Sequence, residues 1–152
     1  MITNLTVLVK EGKIVGLEIE NIGEYLKFHM IKPSYQRMKV FQYLYEEKNH
    51  PTVDMIYKAL CTEIPTLSKT TVYNTLNLFI EKEIANVIVI EENETRYDID
   101  MNIHGHFKCE KCGKIHDLDV NKEFLNSKEL DDYKIKEHHL YFKGICKNCL
   151  NN

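Results

Sequence analysis

The sequence predicts an α+β protein in two parts: a winged helix-turn-helix DNA-binding domain at 23–97 and a small α/β domain at 98–152 with a four-cysteine zinc site. Two observations lead to this class. Three segments with helical spacing of apolar residues precede two short β-branched runs, which is the element order of a winged helix-turn-helix. Two Cys-x-x-Cys pairs then follow, at Cys109/Cys112 and Cys146/Cys149.

Length and composition indicate a soluble intracellular protein. The 152 residues suit one or two small domains, and 28% of them are charged. Apolar runs stay well below the roughly 18–20 residues that span a bilayer, and the N-terminus lacks a signal-peptide pattern. We therefore expect a cytoplasmic protein with no membrane contact, whose reduced thiols are available to bind metal.

The net charge of −3 is unevenly distributed. Residues 1–90 carry ten basic and ten acidic side chains, so the acidic excess belongs to residues 91–152. Two stretches, Tyr25 to Tyr45 and Ile64 to Ile80, contain basic residues and no acid. These stretches could meet a polyanion although the whole chain is acidic.

Residues 1–22 are assigned to an N-terminal extension. Apolar runs on either side of Lys10 to Lys13 predict a small hairpin, and a poorly ordered segment is the alternative.

Three helices are predicted, each opened by a capping side chain, namely Ser34, Thr52 and Ser68. Prolines at 33, 51 and 65 mark the breaks before them. The third helix has an apolar face, and its opposite face carries hydrogen-bonding side chains and no acid. That polar face comprises Lys69, Thr70, Tyr73, Asn74 and Asn77.

Strand-like runs at Val87 to Ile90 and Thr95 to Ile99 complete the module as a hairpin. A helical core with a hairpin and no nucleic-acid role is the alternative, and the acid-free polar face favours DNA binding. Beyond the hairpin, the pattern predicts a strand from Ile103 to Cys112, a helix from Val120 to Leu130, and a strand from Leu140 to Ile145.

Cysteine spacing predicts a structural metal site. Cys109, Cys112, Cys146 and Cys149 form two Cys-x-x-Cys pairs with 33 residues between them. Four thiolates in a closed tetrahedron suit redox-inert Zn²⁺, and such a site contributes folding free energy directly. The fifth cysteine, Cys61, is interpreted as a buried free thiol.

A second group of potential ligands offers nitrogen and carboxylate oxygen. His104 and His106 alternate on a predicted strand and therefore share one face, with Asp98 upstream and Asp117 downstream. His50 stands far off, between the first two predicted helices. This donor chemistry suits Fe²⁺, Mn²⁺ or Zn²⁺, whereas any one of these residues by itself is more often an ordinary surface or core side chain.

Taken together, these motifs resemble the ferric uptake regulator (Fur) family over roughly residues 30–149. The resemblance is carried by Tyr35-Gln36-Arg37, His50-Pro51-Thr52, Thr70 to Leu76, Arg96-Tyr97-Asp98, His104 to Cys109 and Gly144-Ile145-Cys146. Within the family, the chain most resembles the peroxide-sensing branch, whose regulatory metal is held by three His and two Asp. These positions correspond to His50, Asp98, His104, His106 and Asp117.

Iron-sensing members of the family often have Glu where Asp98 and Asp117 stand here. They also often have a further His and Asp around the His-x-His pair, where this chain has Ile103 and Gly105. These departures argue against an additional metal site at that place.

The resemblance implies a homodimeric, metal-dependent repressor that binds palindromic operator DNA. Fe²⁺ or Mn²⁺ would join the two domains, and peroxide would release the DNA by Fe-catalysed oxidation of His104 and His50. It is not an enzyme in this interpretation, because its own ligands are consumed.

For DNA contacts, we expect Tyr73 and Asn74 to face the major groove from the third helix. Ser68, Lys69 and Thr70 would hold phosphates at its N-terminus. By resemblance, Arg37 lies near the DNA-facing part of the first predicted helix.

Two rival interpretations remain. One is an iron- or zinc-availability sensor of the same family. The other is a small non-haem iron enzyme that uses two His and one carboxylate, although no substrate pocket or general base is evident in the sequence.

Overall fold

Two compact units make up the chain, and the division falls between Met101 and Asn102. The computed structural model describes residues 9–10, 13–14, 19–91, 93–121, 123 and 127–151. The sequence placed the boundary four residues earlier, after residue 97. Residues 98–101 belong to the first unit because Asp98 ends a strand of its hairpin and Ile99 packs against its core.

Among its described residues, the first unit has four helices and two hairpins. The helices are α1 Ile19–Phe28, α2 Tyr35–Glu47, α3 Val53–Leu60 and α4 Lys69–Glu81. The strands are β1 Val9–Lys10, β2 Lys13–Ile14, β3 Asn86–Ile88 and β4 Arg96–Asp98. Strands β1 and β2 pair antiparallel, as do β3 and β4.

The predicted caps occur where the sequence placed them. Ser34 accepts a hydrogen bond from the Arg37 backbone N–H, Thr52 from that of Met55, and Ser68 from that of Thr71. Each cap satisfies one of the backbone donors left unpaired at a helix N-terminus, and this fixes where α2, α3 and α4 begin.

Helix α1 corrects the assignment of residues 1–22 to an extension. It begins at Ile19, and its Ile22 and Leu26 side chains are fully buried in the core of the first unit. The spacing of Ile22 and Leu26 is typical of one face of a helix. Gly23 between them is a poor helix former and weakens that pattern. Gly23 faces α2, since a Cβ there would lie 3.5 Å from Met38 Sδ.

Side chains from all four helices and from the β3–β4 hairpin pack together as the core of the first unit. The rings of Phe41 and Phe79 meet edge to face with centroids 5.7 Å apart, which ties α2 to α4. Tyr97 brings β4 onto the same core. Three helices followed by this β3–β4 hairpin, the wing, confirm the predicted winged-helix arrangement.

The second unit contains a three-stranded sheet of order β6-β5-β7. Its strands are β5 Gly105–Cys109, β6 Ile115–Leu118 and β7 Tyr141–Gly144, and a short helix, α5 Lys147–Leu150, follows. Strand β5 pairs antiparallel with β6 and parallel with β7. Strand β6 and helix α5 were not predicted.

The predicted helix from Val120 to Leu130 is wrong in the part that the structure describes. Residues 120 and 121 are not helical, and a short 3-10 helix spans Lys128–Leu130 with Ser127 as its cap. Residues 122 and 124–126 lie outside the described part of the chain. Within that described part, every helix is too short or too polar to cross a membrane.

Candidate metal centres and nucleic-acid interface

Four cysteine sulfurs converge at one end of the sheet in the second unit. The Sγ atoms of Cys109, Cys112, Cys146 and Cys149 all lie within 4.8 Å of one another. Cys109 ends strand β5, whereas Cys146 immediately precedes α5. The parallel pairing of β5 with β7 brings the two Cys-x-x-Cys pairs together, because it sets Cys109 opposite Gly144.

A tight turn presents the first cysteine pair. The Gly113 N–H donates to the Cys109 carbonyl at 2.9 Å, and the Cys109 N–H donates to the Lys114 carbonyl at 2.9 Å. Gly113 has φ of +72°, a conformation that favours glycine. This turn returns the chain into β6 and leaves both sulfurs on its inner side.

The donor set fits a tetrahedral soft-metal site. The Cys109 sulfur accepts backbone N–H groups from Cys146 at 3.3 Å and Cys112 at 3.5 Å. These N–H donors lower the pKa of the Cys109 thiol to about 6, whereas a hydrogen bond to Cys146 raises the pKa of Cys149 to about 12. Four thiolates this close together repel one another unless a cation lies between them, so the donor set fits Zn²⁺.

A nitrogen and oxygen cluster lies on the same sheet. His104 precedes β5, His106 lies within it, and Asp117 of β6 is the register partner of His106. The two Nε2 atoms are 3.0 Å apart, and the Asp117 carboxylate lies 3.6 Å from His104 Nε2 and 3.7 Å from His106 Nε2. The structure thus brings together three predicted ligands within the second unit.

The hydrogen bonds of His104 indicate its tautomer. Its Nδ1 lies 2.7 Å from the Asn102 carbonyl oxygen, which can only accept, so Nδ1 carries the proton in the neutral ring. Nε2 then carries no proton, and its lone pair faces His106 Nε2. That lone pair can accept a proton from the His106 ring or bind a cation, and the Asp117 carboxylate beside both rings completes a donor set that fits a metal.

The first unit holds the other two predicted ligands. His50, in the loop between α2 and α3, has its Nε2 atom 3.8 Å from Asp98 Oδ2, and both side chains are about nine-tenths buried or more. The other oxygen of Asp98 accepts the Asp100 backbone N–H at 2.9 Å. Burying an imidazole beside a carboxylate in this way costs free energy unless the pair shares a proton or a cation.

The predicted DNA-facing surface of α4 is exposed. Tyr73 is 51% exposed, and Lys69, Thr70, Asn74 and Asn77 are also exposed. Val72, Leu76 and Phe79 on the opposite face are fully buried, as the helical period predicts. A polar cavity of about 330 Å³ lies between this helix and the start of α2, where it is lined by Lys32, Arg37 and Asn74 among others.

Two of the predicted cationic DNA contacts already have partners in the first unit. Lys69 forms an ion pair with Asp54 of α3, and Asp54 is also paired with Lys58 at 2.6 Å. The guanidinium of Arg37 donates to the Lys32 carbonyl at 2.7 Å and thus braces the turn before α2. The stretch from Ile64 to Ile80, which has no acid in its sequence, therefore has an acid beside it in the structure.

Sequence reasoning missed the supporting residues around the predicted ligands. The sequence predicted no role for Arg96 beyond its place in the Arg96-Tyr97-Asp98 motif. Its position two residues before Asp98 nevertheless puts both side chains on one face of β4. The Asn102 carbonyl carried no sequence signal, because any residue supplies a backbone oxygen.

Comparisons with known proteins agree with this geometry. The model of the ferric uptake regulator family matches residues 29–149. The chain is 30% identical over 145 residues to the peroxide-responsive repressor PerR of Staphylococcus aureus (strain Mu50), covering 89% of this chain and 98% of that protein.

Two solved structures share the fold. The Helicobacter pylori ferric uptake regulator Fur matches with a TM-score of 0.70 and 25% identity, over 88% of this chain and 95% of that one. The Vibrio cholerae ferric uptake regulator matches with a TM-score of 0.68 and 24% identity, over 82% of this chain and 98% of that one.

Proposed function

The chain belongs to the ferric uptake regulator family, and on that premise we propose that it is a metal-dependent repressor that peroxide inactivates. Membership makes it a metal-responsive regulator of transcription rather than an enzyme, which decides against the non-haem iron enzyme. The observation that carries the proposed regulation is that the nitrogen and oxygen donors are divided between the two units. His50 and Asp98 lie in the first unit, and the other three donors lie in the second.

Two metals are assigned to two donor chemistries. Cys109, Cys112, Cys146 and Cys149 would hold structural Zn²⁺. Regulatory Fe²⁺ or Mn²⁺ would be held by His50, Asp98, His104, His106 and Asp117, three nitrogens and two carboxylates that suit these harder ions. Two His and one carboxylate in the second unit could hold an ion by themselves, and His50 and Asp98 would complete a set of five ligands that draws on both units.

The regulatory site would act by joining the units. Five ligands drawn from both units can bind one ion only in a restricted set of relative orientations, so the ion stabilises the orientation in which they converge. A ligand shifts a conformational equilibrium only by its differential affinity for the two states. Moving a population from 1:99 to 99:1 takes roughly 5.5 kcal/mol, which lies within the reach of several metal–ligand bonds.

Peroxide would destroy the ligands that hold the metal. Fe²⁺ held by these five residues would supply the redox chemistry that activates peroxide beside the imidazole rings. In the net reaction, a ring C–H of His104 or His50 becomes C=O with a protonated neighbouring nitrogen, and the second peroxide oxygen leaves as water. The oxidised ring is a poor ligand, so the connection between the units is lost and DNA is released. The similarity to a peroxide-responsive repressor supports this step.

A homodimer would read a palindromic operator with one α4 helix in each half-site, since two-fold protein symmetry matches two-fold DNA symmetry. Tyr73 and Asn74 would face the bases, with Ser68, Lys69 and Thr70 at phosphates. The edge strands of the three-stranded sheet are the proposed dimer contact. Arg37 would lie near the DNA-facing part of α2, where one of its guanidinium nitrogens also braces the turn at Lys32.

Operator binding tests the repressor proposal. The Mn²⁺-loaded protein should select a palindromic duplex from a randomised library and bind it more weakly as salt rises. Selection that recovers no palindrome would refute it.

Metal analysis separates the peroxide proposal from an iron- or zinc-availability sensor. After anaerobic purification, one Zn²⁺ per chain should remain with the cysteines, and the second site should accept Fe²⁺ or Mn²⁺. A second tightly held Zn²⁺ together with indifference to peroxide would favour the zinc sensor. Retained Fe²⁺ dependence with the same indifference would favour the iron sensor.

Asp54 is expected to limit non-specific DNA binding. Its pKa is lowered to about 2 by Lys58 and Lys69, so it is ionised at neutral pH and engages Lys69 near the N-terminus of α4. In Asp54→Asn, Lys69 no longer has to leave this ion pair to contact a phosphate, so it can do so on a random duplex as well as on the operator. The slope of log K against log salt on a random duplex should steepen by roughly 0.9, the value for one additional phosphate contact.

The matched control is Glu81→Gln, which removes the same charge from an ion pair with Lys82 at the other end of α4. Its salt slope should remain that of the unmodified protein. Equal slopes for all three proteins would show that Asp54 does not restrain Lys69.

A further inference from the structure

Three consecutive residues of β4 hold the segment that carries His50. The Arg96 Nη1 atom donates to the His50 carbonyl oxygen at 3.2 Å. The Tyr97 backbone N–H donates to the Pro51 carbonyl at 3.1 Å, and the Asp98 carboxylate lies 3.8 Å from the His50 imidazole. One short strand therefore contacts the backbone of His50–Pro51 at two points and the side chain of His50 at a third.

The guanidinium of Arg96 is itself fixed from the turn between β3 and β4. Its Nε and Nη2 atoms lie 3.3 and 3.2 Å from the same Glu91 carboxylate oxygen, and Nη2 lies 3.5 Å from Glu94. The Arg96 and Glu91 side chains are only 13% and 12% exposed. A planar guanidinium holds a carboxylate and a carbonyl with different nitrogens in a fixed fork, whereas an ammonium would need both acceptors within reach of a single nitrogen.

The backbone of His50 needs such support. It has φ of +48°, in the left-handed region that residues other than glycine seldom adopt. The backbone conformation sets the direction of the imidazole, so a segment in this conformation keeps its ring direction only while neighbouring groups hold it. Arg96 supplies its contact at the carbonyl of this very residue.

We propose that Arg96 is a positioning residue for the regulatory metal: by holding the His50 carbonyl, it keeps the imidazole aimed for binding before the ion arrives. The same guanidinium connects this ligand segment to the turn of the wing through Glu91. The proposal rests on the proposed regulatory site, and it adds a residue that touches neither the metal nor the DNA.

The test is Mn²⁺ affinity measured by chelator competition on the full-length, zinc-loaded protein. Arg96→Lys keeps a positive charge beside Glu91 but cannot also reach the His50 carbonyl with a planar fork. Its Mn²⁺ affinity should fall at least about 10-fold, as is usual when a group that orients a metal ligand is removed. Glu94→Gln, which removes only the longer and more exposed contact, should stay within roughly two-fold.

A second control separates positioning from stability. Ile88 is fully buried and pairs with Arg96 across the hairpin, so Ile88→Val weakens the same hairpin and leaves the groups of the Arg96–His50 hydrogen bond in place. It should lower the melting temperature of the metal-free protein and leave Mn²⁺ affinity unchanged. If Ile88→Val loses as much affinity as Arg96→Lys, or if Arg96→Lys binds Mn²⁺ normally, the positioning role is refuted. If the unmodified protein binds no Mn²⁺ once its zinc site is filled, the proposed regulatory site fails, and the inference fails with it.

Discussion

Replacing Cys109 by serine is expected to unfold the second unit, residues 102–152. The Cys109 residue is fully buried and its sulfur accepts two backbone N–H groups, so its loss removes a proposed zinc ligand and the anchor of the turn. Structural Zn²⁺ contributes apparent binding free energies of about 10–16 kcal/mol in zinc-finger peptides. Small domains are stable by only about 5–15 kcal/mol in total. The second unit, with a small three-stranded sheet, should not survive that loss.

The measurement is zinc content together with amide hydrogen exchange. Cys109→Ser should fall from one Zn²⁺ per chain to near zero, and amides of β5, β6 and β7 should lose their protection while those of α2 and α4 keep theirs. Cys61→Ser is the matched control: Cys61 is half-buried at the end of α3, where its thiol lies 3.6 Å from the Lys58 carbonyl. A Cys109→Ser protein with a folded, zinc-free second unit would contradict the structural role of the site.

Replacing His50 by alanine should abolish the dependence of DNA affinity on Mn²⁺. The residue supplies one of the two proposed ligands from the first unit, so its loss should uncouple metal binding from the orientation of the DNA-binding unit. Allosteric couplings are typically 5- to 150-fold in affinity. We expect the unmodified protein to gain roughly 100-fold in operator affinity on saturation with Mn²⁺, and His50→Ala to gain less than about three-fold.

His138→Ala is the control for the loss of an imidazole, because His138 is exposed and outside both proposed metal sites. It should retain the full response to Mn²⁺. A His50→Ala protein that still gains 100-fold would show that the ion acts within the second unit, without joining the two.

Local signals in the sequence were sufficient for much of the fold. Ser34, Thr52 and Ser68 mark helix starts because the capping hydrogen bond is made within three residues, so no distant contact is needed to recognise it. The Cys-x-x-Cys pairs and the strand alternation of His104 and His106 are likewise local patterns. These patterns predict that the four sulfurs share one cluster and that the two imidazoles share one face, which is the arrangement in the structure.

Features made by distant contacts were not predictable in this way. Strand β6 is a strand because it pairs with β5, and its short sequence Ile115–Leu118 has little propensity to indicate this. Lys69 and Lys39 lie in stretches without acids, yet Asp54 and Glu63 from outside those stretches form ion pairs with them. Strand alternation predicts that Arg96 shares a face with Asp98. It does not predict the hydrogen bond from Arg96 to the His50 carbonyl, which is 46 residues away.

The most direct test of the whole account is to load the zinc-containing protein with Fe²⁺, add sub-stoichiometric peroxide, and measure operator affinity and peptide masses together. We expect one added oxygen on the peptides that bear His104 or His50 and a proportional loss of DNA binding. When Mn²⁺ replaces Fe²⁺, neither change should occur. Loss of DNA binding with unmodified histidines and oxidised cysteines would contradict it, because it would place the switch at the thiols of the zinc site.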